Sequence, residues 1–294
     1  MHAQRQRTDR GEQMWQWFNG GVIALICVVM LYPFWQTVVA SFMTEAEYLS
    51  SPLKLIVLEP TLAAYKQVFA DGTIFVHLRV TFLIAVVGTA VALFVTAYSA
   101  YGLSKPFVGS SLVMFLIVMT MFVHAGLIPD YMNYKSLGLI NQFAVYILPY
   151  MINTFYLIIM RSTFLEFPRE LEEAARIDGC NDFRIFFTIV LPLSKPILAA
   201  IGLFYAVAFW NTYMQSVFFI TDSELKTVQE YLQKLVSDSS DLEGVMATES
   251  GEEGFSSETV RLANIVLVLL PIAAVYPFLQ RFFVSGIMMG SVKG

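Results

Sequence analysis

Six apolar segments, each long enough to cross a bilayer, constrain the fold of this chain more than any other feature. A membrane-spanning helix needs about 20 mostly apolar residues to cross about 30 Å of hydrocarbon. Backbone polar groups in lipid must bond within their own segment, and these segments are too long for barrel strands, so we predict helices. The six predicted spans are Gly20–Phe42, His77–Leu103, Phe107–Pro129, Leu139–Met160, Pro196–Ile220 and Val260–Gly286.

The composition agrees with an all-α, polytopic membrane protein and excludes other classes. Hydrophobic residues make up 57% of the chain and charged residues 14%, against about 45–50% and about 25% in soluble domains. The formal net charge of −5 provides no basic field for nucleic acid, so we expect lipid and not nucleic acid as a partner. The two cysteines, Cys27 and Cys180, lack the spacing of a metal or redox motif.

The charge distribution predicts the topology, because cytoplasmic loops carry an excess of Lys and Arg. Positive residues near the span ends favour a cytoplasmic N-terminus, and six spans then place both termini in the cytoplasm. We divide the chain into an N-terminal cytoplasmic arm, 1–19, and a six-span domain, 20–294. That domain carries a cytoplasmic segment, 161–195, and a long extracytoplasmic loop, 221–259.

The predicted external loop is rich in acidic residues and contains an amphipathic stretch. Apolar residues recur at helical spacing between Thr227 and Val236. The following residues, 237–254, are rich in Ser, Gly and acids, which favours a flexible segment. Two interpretations of the amphipathic stretch stay open: it packs against its own protein, or it docks an external partner.

The cytoplasmic segment 161–195 has the punctuation of two short helices. Pro168 fits a first helical position, and the acidic residues after it suit the helix dipole. Gly179 fits a left-handed cap, so we predict the first helix over 168–178. An Asn-Asp pair then offers an N-cap to a second helix over 183–191. A short capped helix between two spans suits the transfer of motion, although periodicity alone equally fits a solvated helix.

A spaced motif runs through the same segment: Glu173-Ala174-Ala175, three residues, Gly179, nine residues, Ile189, one residue, Leu191-Pro192. This pattern resembles the EAA motif of permease subunits from binding-protein-dependent ABC importers, and every fixed position is met. The resemblance covers nearly the whole chain and implies an ABC importer type I permease fold in the inner membrane of a bacterium.

Two further features resemble the carbohydrate-type permeases within that family. They are Trp210-Asn211 in the fifth predicted span and the closing residues 286–294. The chain looks like the smaller partner in maltose-permease-like pairs. Its closing pattern is most similar to the subgroup that imports polysaccharide fragments, including alginate and uronate-containing oligomers.

The resemblance also implies partners and residue roles. It implies a homologous second permease, two ATP-binding subunits that hold ATP and Mg²⁺, and an extracytoplasmic solute-binding protein. The first cytoplasmic helix would be a coupling helix that enters a cleft of an ATPase subunit. The implied ATPase contacts are Glu173, Ala174, Ala175 and Gly179, with Asp178 beside them and Lys293 and Gly294 as weaker additions. The implied structural residues are Ile189, Leu191 and Pro192.

No G-x-x-x-x-G-K-[ST] phosphate loop occurs in the sequence, so we expect ATP hydrolysis in a separate chain and no cofactor on this one. A membrane enzyme would need clustered catalytic or metal-ligating residues, and no such pattern is present; we predict no catalytic and no metal site. A secondary carrier would usually show carboxylates buried in its spans, and these spans carry almost no charge. An ABC permease for a non-sugar solute stays an alternative.

A sugar path needs aromatic and hydrogen-bonding side chains in a cavity shielded from lipid. The fourth and fifth predicted spans carry such side chains, although polar contacts between helices would explain them equally well. We find no positive charge deep in the spans that would read a uronate. The predicted path residues are Tyr146, Tyr150, Asn153, Trp210, Asn211, Tyr213 and Gln215.

Overall fold

The computed structural model of the chain describes residues 10–50, 55–123, 125–243 and 258–290. Over these ranges the chain forms helices and no strand, which confirms the predicted all-α class. Lys293, Gly294 and residues 244–254 of the predicted flexible stretch lie outside the described residues. Residues 237–243 of that stretch are helical instead, as are residues 10–19 of the predicted N-terminal arm.

Fourteen α-helices are described, together with three 3-10 turns and one π-helical turn. The α-helices are α1 (Arg10–Ala40), α2 (Glu45–Ser50), α3 (Ala63–Asp71), α4 (Thr73–Ser104), α5 (Ser110–Met119), α6 (Leu127–Ser136), α7 (Thr154–Leu165), α8 (Arg169–Ile177), α9 (Asp182–Ile185), α10 (Leu191–Leu193), α11 (Lys195–Trp210), α12 (Met214–Phe219), α13 (Val228–Glu243) and α14 (Glu258–Gly290). The 3-10 turns are Phe143–Tyr146, Leu148–Tyr150 and Ser223–Leu225, and the π turn is Phe186–Val190.

The chain divides into two compact units. The first unit contains α1 to α3 and the beginning of α14, and a small core closes it at the end of α1. Val39, Ala40 and Met43 are buried in that core. The hydroxyls of Ser41 and Tyr65 share a hydrogen bond of 2.7 Å, which fixes the end of α1 to α3. Most other side chains of α1 are apolar and exposed, as expected of a helix surface that meets lipid.

The second unit contains α4 to α13 and the remainder of α14, and α4 is its central helix. α4 packs along α11 and α7. Small buried residues on one face, Gly88, Ala92 and Ala100, which lie four and eight residues apart, permit the close approach. A Cβ on Gly88 would lie 3.0 Å from ring carbons of Phe209 on α11, so a larger residue there would require the buried Phe209 ring to shift by a few tenths of an ångström.

Two helices are long and apolar enough to cross a membrane: Met14–Ala40 within α1, and α4. Two bent helix pairs raise the number to as many as four among the described residues. The first pair joins Phe143–Tyr150 to α7 with a bend of 49°, and the second joins Asp182–Leu193 to α11 with a bend of 85°. The fourth predicted span is thus bent.

The third predicted span, Phe107–Pro129, differs from a continuous helix. Its helical core is α5, whose 10 residues reach about 15 Å, half the thickness of the hydrocarbon. The chain leaves the helix after Thr120 and passes through Gly126, whose φ of 94° no helix contains. Glycine at this position lets the chain turn into α6.

The fifth predicted span, Pro196–Ile220, is also interrupted. α11 ends at Trp210 and α12 begins at Met214, so three residues break the helix. The side-chain amide of Asn211 donates to the backbone oxygen of Val207 at 2.8 Å. A polar side chain that bonds the preceding turn competes with the backbone ladder, which favours a helix end here.

Candidate functional site

The first helix of the predicted cytoplasmic segment, α8, ends in a fully formed left-handed cap. Gly179 has a φ of 80°. Its N–H donates to the oxygen of Arg176 at 3.0 Å, and the N–H of Cys180 donates to the oxygen of Ala175 at 2.9 Å. These two bonds define a Schellman motif, so the predicted role of Gly179 as the cap is confirmed. Pro168 occupies the position before the first helical residue and not the first position itself.

α8 presents one face to its own protein and the opposite face outward. Ala175 is 8% exposed and packs in the core of the second unit. Glu173, Ala174 and Asp178 are exposed, and Ile177 is 87% exposed. The structure therefore places Ala175 against its own protein, unlike the other implied contacts. Exposed Gly179 closes the end of the outward face.

An ion pair that the sequence analysis did not foresee anchors α8 to α4. Lys105, directly after α4, pairs with Glu172 on α8. The ammonium of Lys105 also lies 4.2 Å from the ring centroid of Tyr101, a cation-π contact. Nearby, the Nε of Arg161 donates to the oxygen of Leu103 at 2.8 Å. The end of α4 therefore fixes the position of the segment that carries α8.

The second helix of the predicted cytoplasmic segment begins as predicted but is not a regular α-helix. The side chain of Asn181 accepts from the N–H of Arg184 at 2.8 Å and caps α9. Asp182 forms an ion pair of 2.6 Å with Arg176, which ties α9 to α8. The chain then widens into the π turn 186–190 before α10.

Proline accounts for the π turn. Pro192 has no N–H to donate to the carbonyl of Thr188, so the regular ladder cannot continue. The N–H of Leu191 instead bonds the oxygen of Phe186, five residues back. Ile189 and Leu191 pack against the core, which agrees with a structural role, whereas Pro192 is exposed.

A cavity of about 190 Å³ lies between the two 3-10 turns, the start of α7, and the region where α11 gives way to α12. Most of its polar lining consists of tyrosine hydroxyls, amides and one threonine hydroxyl. The lining residues are Tyr146, Pro149, Tyr150, Ile152, Asn153, Tyr156, Tyr205, Ala208, Phe209, Thr212 and Gln215. The cavity therefore brings together Tyr146, Tyr150, Asn153 and Gln215 from the predicted path.

The other three predicted path residues do not line this cavity. Asn211 is bonded to the preceding turn of α11, and Tyr213 immediately precedes α12. The backbone oxygen of Trp210 accepts from Nε2 of Gln229 at 3.4 Å. These residues therefore form the break between the two helices.

Tyr205 is one of several members of the cavity wall that the sequence analysis missed. Its hydroxyl lies 2.7 Å from Oγ1 of Thr96 on α4 and accepts from the N–H of Asn153 at 2.9 Å. The side chain of Asn153 in turn caps α7 by accepting from the N–H groups of Phe155 and Tyr156. One hydroxyl thus joins three helices. The available signal was a single phenol within the apolar run of α11.

The predicted external loop is fixed to the second unit at the start of α13. The N–H of Val228 donates to Oγ1 of Thr81 on α4 at 2.9 Å. The ring of Tyr231 stacks on that of His77, with centroids 4.9 Å apart. The start of the amphipathic stretch therefore packs against its own protein, as one of the two interpretations predicts, whereas Val236 is exposed.

A buried carboxylate sits in the first turn of α13. Glu230 is 3% exposed. Burial opposes its ionisation, but hydrogen bonds from Lys226, Ser216 and Lys234 outweigh that effect and hold the pKa of the carboxyl below its usual range. Glu230 is therefore charged at neutral pH.

Residues 106–289 match the protein family described as "Binding-protein-dependent transport system inner membrane component". The chain is 43% identical to the polygalacturonan/rhamnogalacturonan transport system permease protein YtcP of Bacillus subtilis, over 93% of this chain and 95% of that protein. It is 42% identical to the protein LplC of the same organism, over 94% and 92% of the two chains.

A more distant relative and a solved structure agree with this assignment. The trehalose/maltose transport system permease protein MalG of Thermococcus litoralis is 29% identical over 92% of this chain and 94% of that protein. A chain from the crystal structure of a bacterial ABC transporter involved in the import of the acidic polysaccharide alginate superposes with a TM-score of 0.85. That match covers 94% of this chain and 98% of the other, at 30% identity.

Proposed function

The chain belongs to the binding-protein-dependent transport system inner membrane components, and from that membership we propose a complete transport assembly. This permease pairs with a homologous permease, two ATP-binding subunits and an extracytoplasmic solute-binding protein. It crosses the inner membrane several times with both termini in the cytoplasm. The ATP-binding subunits hold ATP and Mg²⁺, whereas this chain undergoes the conformational change and lines part of the transport path.

The outward face of α8 supports the coupling part of this proposal. Glu173 and Ile177 lie one turn apart on that face, and an exposed isoleucine beside a carboxylate suits a protein partner. The Schellman motif fixes the C-terminal end of α8, and the Lys105–Glu172 ion pair ties the helix to the end of α4. Displacement of α8 by the ATP-binding subunits would therefore move the second unit between two packed states.

The cargo that we propose is an oligosaccharide, with uronate-containing fragments of acidic polysaccharides as the favoured class. Two relatives support this choice, because their names refer to polygalacturonan/rhamnogalacturonan transport and to alginate import. The cavity offers hydroxyl, amide and aromatic groups that suit a sugar ring. Among the described residues, its lining contains no charged side chain, so in this proposal the uronate charge is recognised by the second permease or the solute-binding protein.

Reconstitution of the assembled complex in proteoliposomes tests the function. We expect ATP-dependent uptake of labelled oligogalacturonides or alginate oligomers only when the solute-binding protein is present. Glu173→Lys should abolish ATP-driven uptake and leave membrane insertion intact. Glu166→Lys, a matched charge reversal at an exposed carboxyl just before α8, should transport normally. Uptake by this chain alone, driven by an ion gradient, would contradict the proposal.

A further inference from the structure

Ser216 is inserted into the helix cap of α13. Thr227 and Glu230 have the spacing of a capping box, in which the Glu side chain normally reaches back to the N–H of the Thr. In this structure the N–H of Thr227 donates to Oγ of Ser216 at 3.1 Å, and that Oγ donates to Oε2 of Glu230 at 2.6 Å. A hydroxyl from α12 therefore completes the cap of α13.

Two lysines neutralise the buried carboxylate at this point. Oε1 of Glu230 accepts from Nζ of Lys226 at 2.5 Å and lies 3.1 Å from Nζ of Lys234. Replacing a buried ion pair by apolar side chains is often neutral or stabilising. A contribution to fold stability is therefore not the sole reason to expect a charged group here, and a role in fixing position is a second one.

The segment from α12 to the start of α13 is connected to the cavity wall at two places. Gln215, which precedes Ser216, lines the cavity together with Tyr150. Tyr146, another lining residue, donates its hydroxyl to the backbone oxygen of Leu225 at 2.9 Å. The residues that begin the predicted external helix are thus one bond away from residues that line the cavity.

The break in the fifth predicted span allows α12 to move separately from α11. α12 has 6 residues and is separated from α11 by the interruption at Asn211–Tyr213. A displaced α13 pulls on Ser216, and through it on Gln215, without having to bend the long helix α11.

We propose that Ser216 and Glu230 are positioning residues that transmit displacement of the external helix α13 to the cavity wall. Neither residue contacts cargo in this scheme. The inference rests on the proposed function, because it takes the solute-binding protein as the partner that displaces α13.

The test uses the full transporter in proteoliposomes, with ATP hydrolysis measured at increasing concentrations of cargo-loaded solute-binding protein. Ser216→Ala removes the inserted hydroxyl and leaves Thr227 and Glu230 free to close a direct capping box. We expect its maximal stimulation to fall about fivefold or more, a coupling change of ordinary size. The half-saturating concentration of binding protein should stay unchanged, because the docking surface is intact.

Two further variants separate transmission from simple damage. Glu230→Gln should lower maximal stimulation in the same way. The double variant, Ser216→Ala with Glu230→Gln, should show no lower stimulation than the more impaired single variant, because both substitutions break the same connection. Glu224→Gln, an exposed carboxyl in the same loop, should behave as wild type. Complex assembly is checked by co-purification of all subunits.

The outcomes are distinguishable. A wild-type complex that the binding protein never stimulates overturns the proposed function and this inference with it. A stimulated wild type with an unaffected Ser216→Ala variant overturns this inference alone. A Ser216→Ala variant with a raised half-saturating concentration of binding protein and an unchanged maximal stimulation also overturns this inference. That result would mean that Ser216 and Glu230 shape the docking loop and do not transmit its displacement.

Discussion

Lys105, the first residue after α4, forms an ion pair with Glu172 on α8. It makes this contact while its ammonium lies over the ring of Tyr101. The side chains of the pair are 26% and 20% exposed, so solvent screens them only in part. One side chain therefore joins the end of a long helix to the helix that we expect to meet the ATP-binding subunit.

We expect Lys105→Met to loosen α8 and reduce ATP-driven uptake. A partly exposed ion pair contributes about 1 kcal/mol or less, so the loss of thermal stability should be small beside the loss of uptake. The charge-exchanged variant, Lys105→Glu with Glu172→Lys, should recover part of the uptake. Equal activity of wild type and Lys105→Met would show that α8 keeps its position without the pair.

Gly179→Ala should destabilise the coupling segment. The φ of 80° at this residue costs an L-residue about 1–2 kcal/mol, and open space around the position offers no compensating contact. Gly102→Ala near the end of α4 is the matched control, because alanine improves a helix interior by about 0.5–1 kcal/mol. Thermal unfolding of the purified complex measures both, and equal shifts in the two variants would contradict the cap.

Tyr205→Phe should lower both stability and transport. It leaves the buried hydroxyl of Thr96 and the N–H of Asn153 without the partner that the phenol supplies. An unsatisfied buried polar group costs about 1–3 kcal/mol. Tyr98→Phe, at a tyrosine exposed on the same unit, should change neither quantity. Identical melting temperatures for the two variants would argue against the three-helix junction.

The stability difference between wild type and Glu230→Gln should depend on pH. The pKa of Glu230 is lowered in the folded protein by Lys226, Ser216 and Lys234 despite its burial, and Tyr146 is the other titratable neighbour. The stabilisation is therefore complete above the ordinary glutamate pKa of about 4.3. It is lost as the pH falls through the lower folded value.

Thermal melts of the detergent-solubilised complex at decreasing pH measure this effect. Wild type should be the more stable protein near neutral pH, and the two curves should converge in acid because a protonated Glu resembles Gln. A difference that is constant across the range would mean that the charge contributes nothing to folding.

Local signals in the sequence predicted α8 well. The proline before it, the acidic first turn and Gly179 each act within one helical turn, so no tertiary information was needed. The EAA spacing identified the correct family, and the comparisons confirm that assignment.

Tertiary features were not predictable in the same way. The break after Trp210 has neither glycine nor proline at it, and the mostly polar residues that follow, Asn211 to Ser216, indicate a sugar path or contacts between helices as readily as a helix end. Lys105 and Glu172 are 67 residues apart, and Ser216 meets Glu230 only because α12 turns back towards α13. Each contact depends on which helices become neighbours, and no pattern within one segment encodes that.

The unbroken course of α4 has a mechanical consequence. Its 32 residues form a helix of about 48 Å. Lys105 forms an ion pair with α8 at its C-terminal end, and Thr81 is hydrogen-bonded to the start of α13 nearer its N-terminal end. A straight, unbroken helix transmits a displacement from one end to the other, whereas a helix with a hinge bends and transmits less of it. A proline placed midway along α4 would therefore uncouple the two ends of the helix, although the contacts of Lys105 and Thr81 stayed in place.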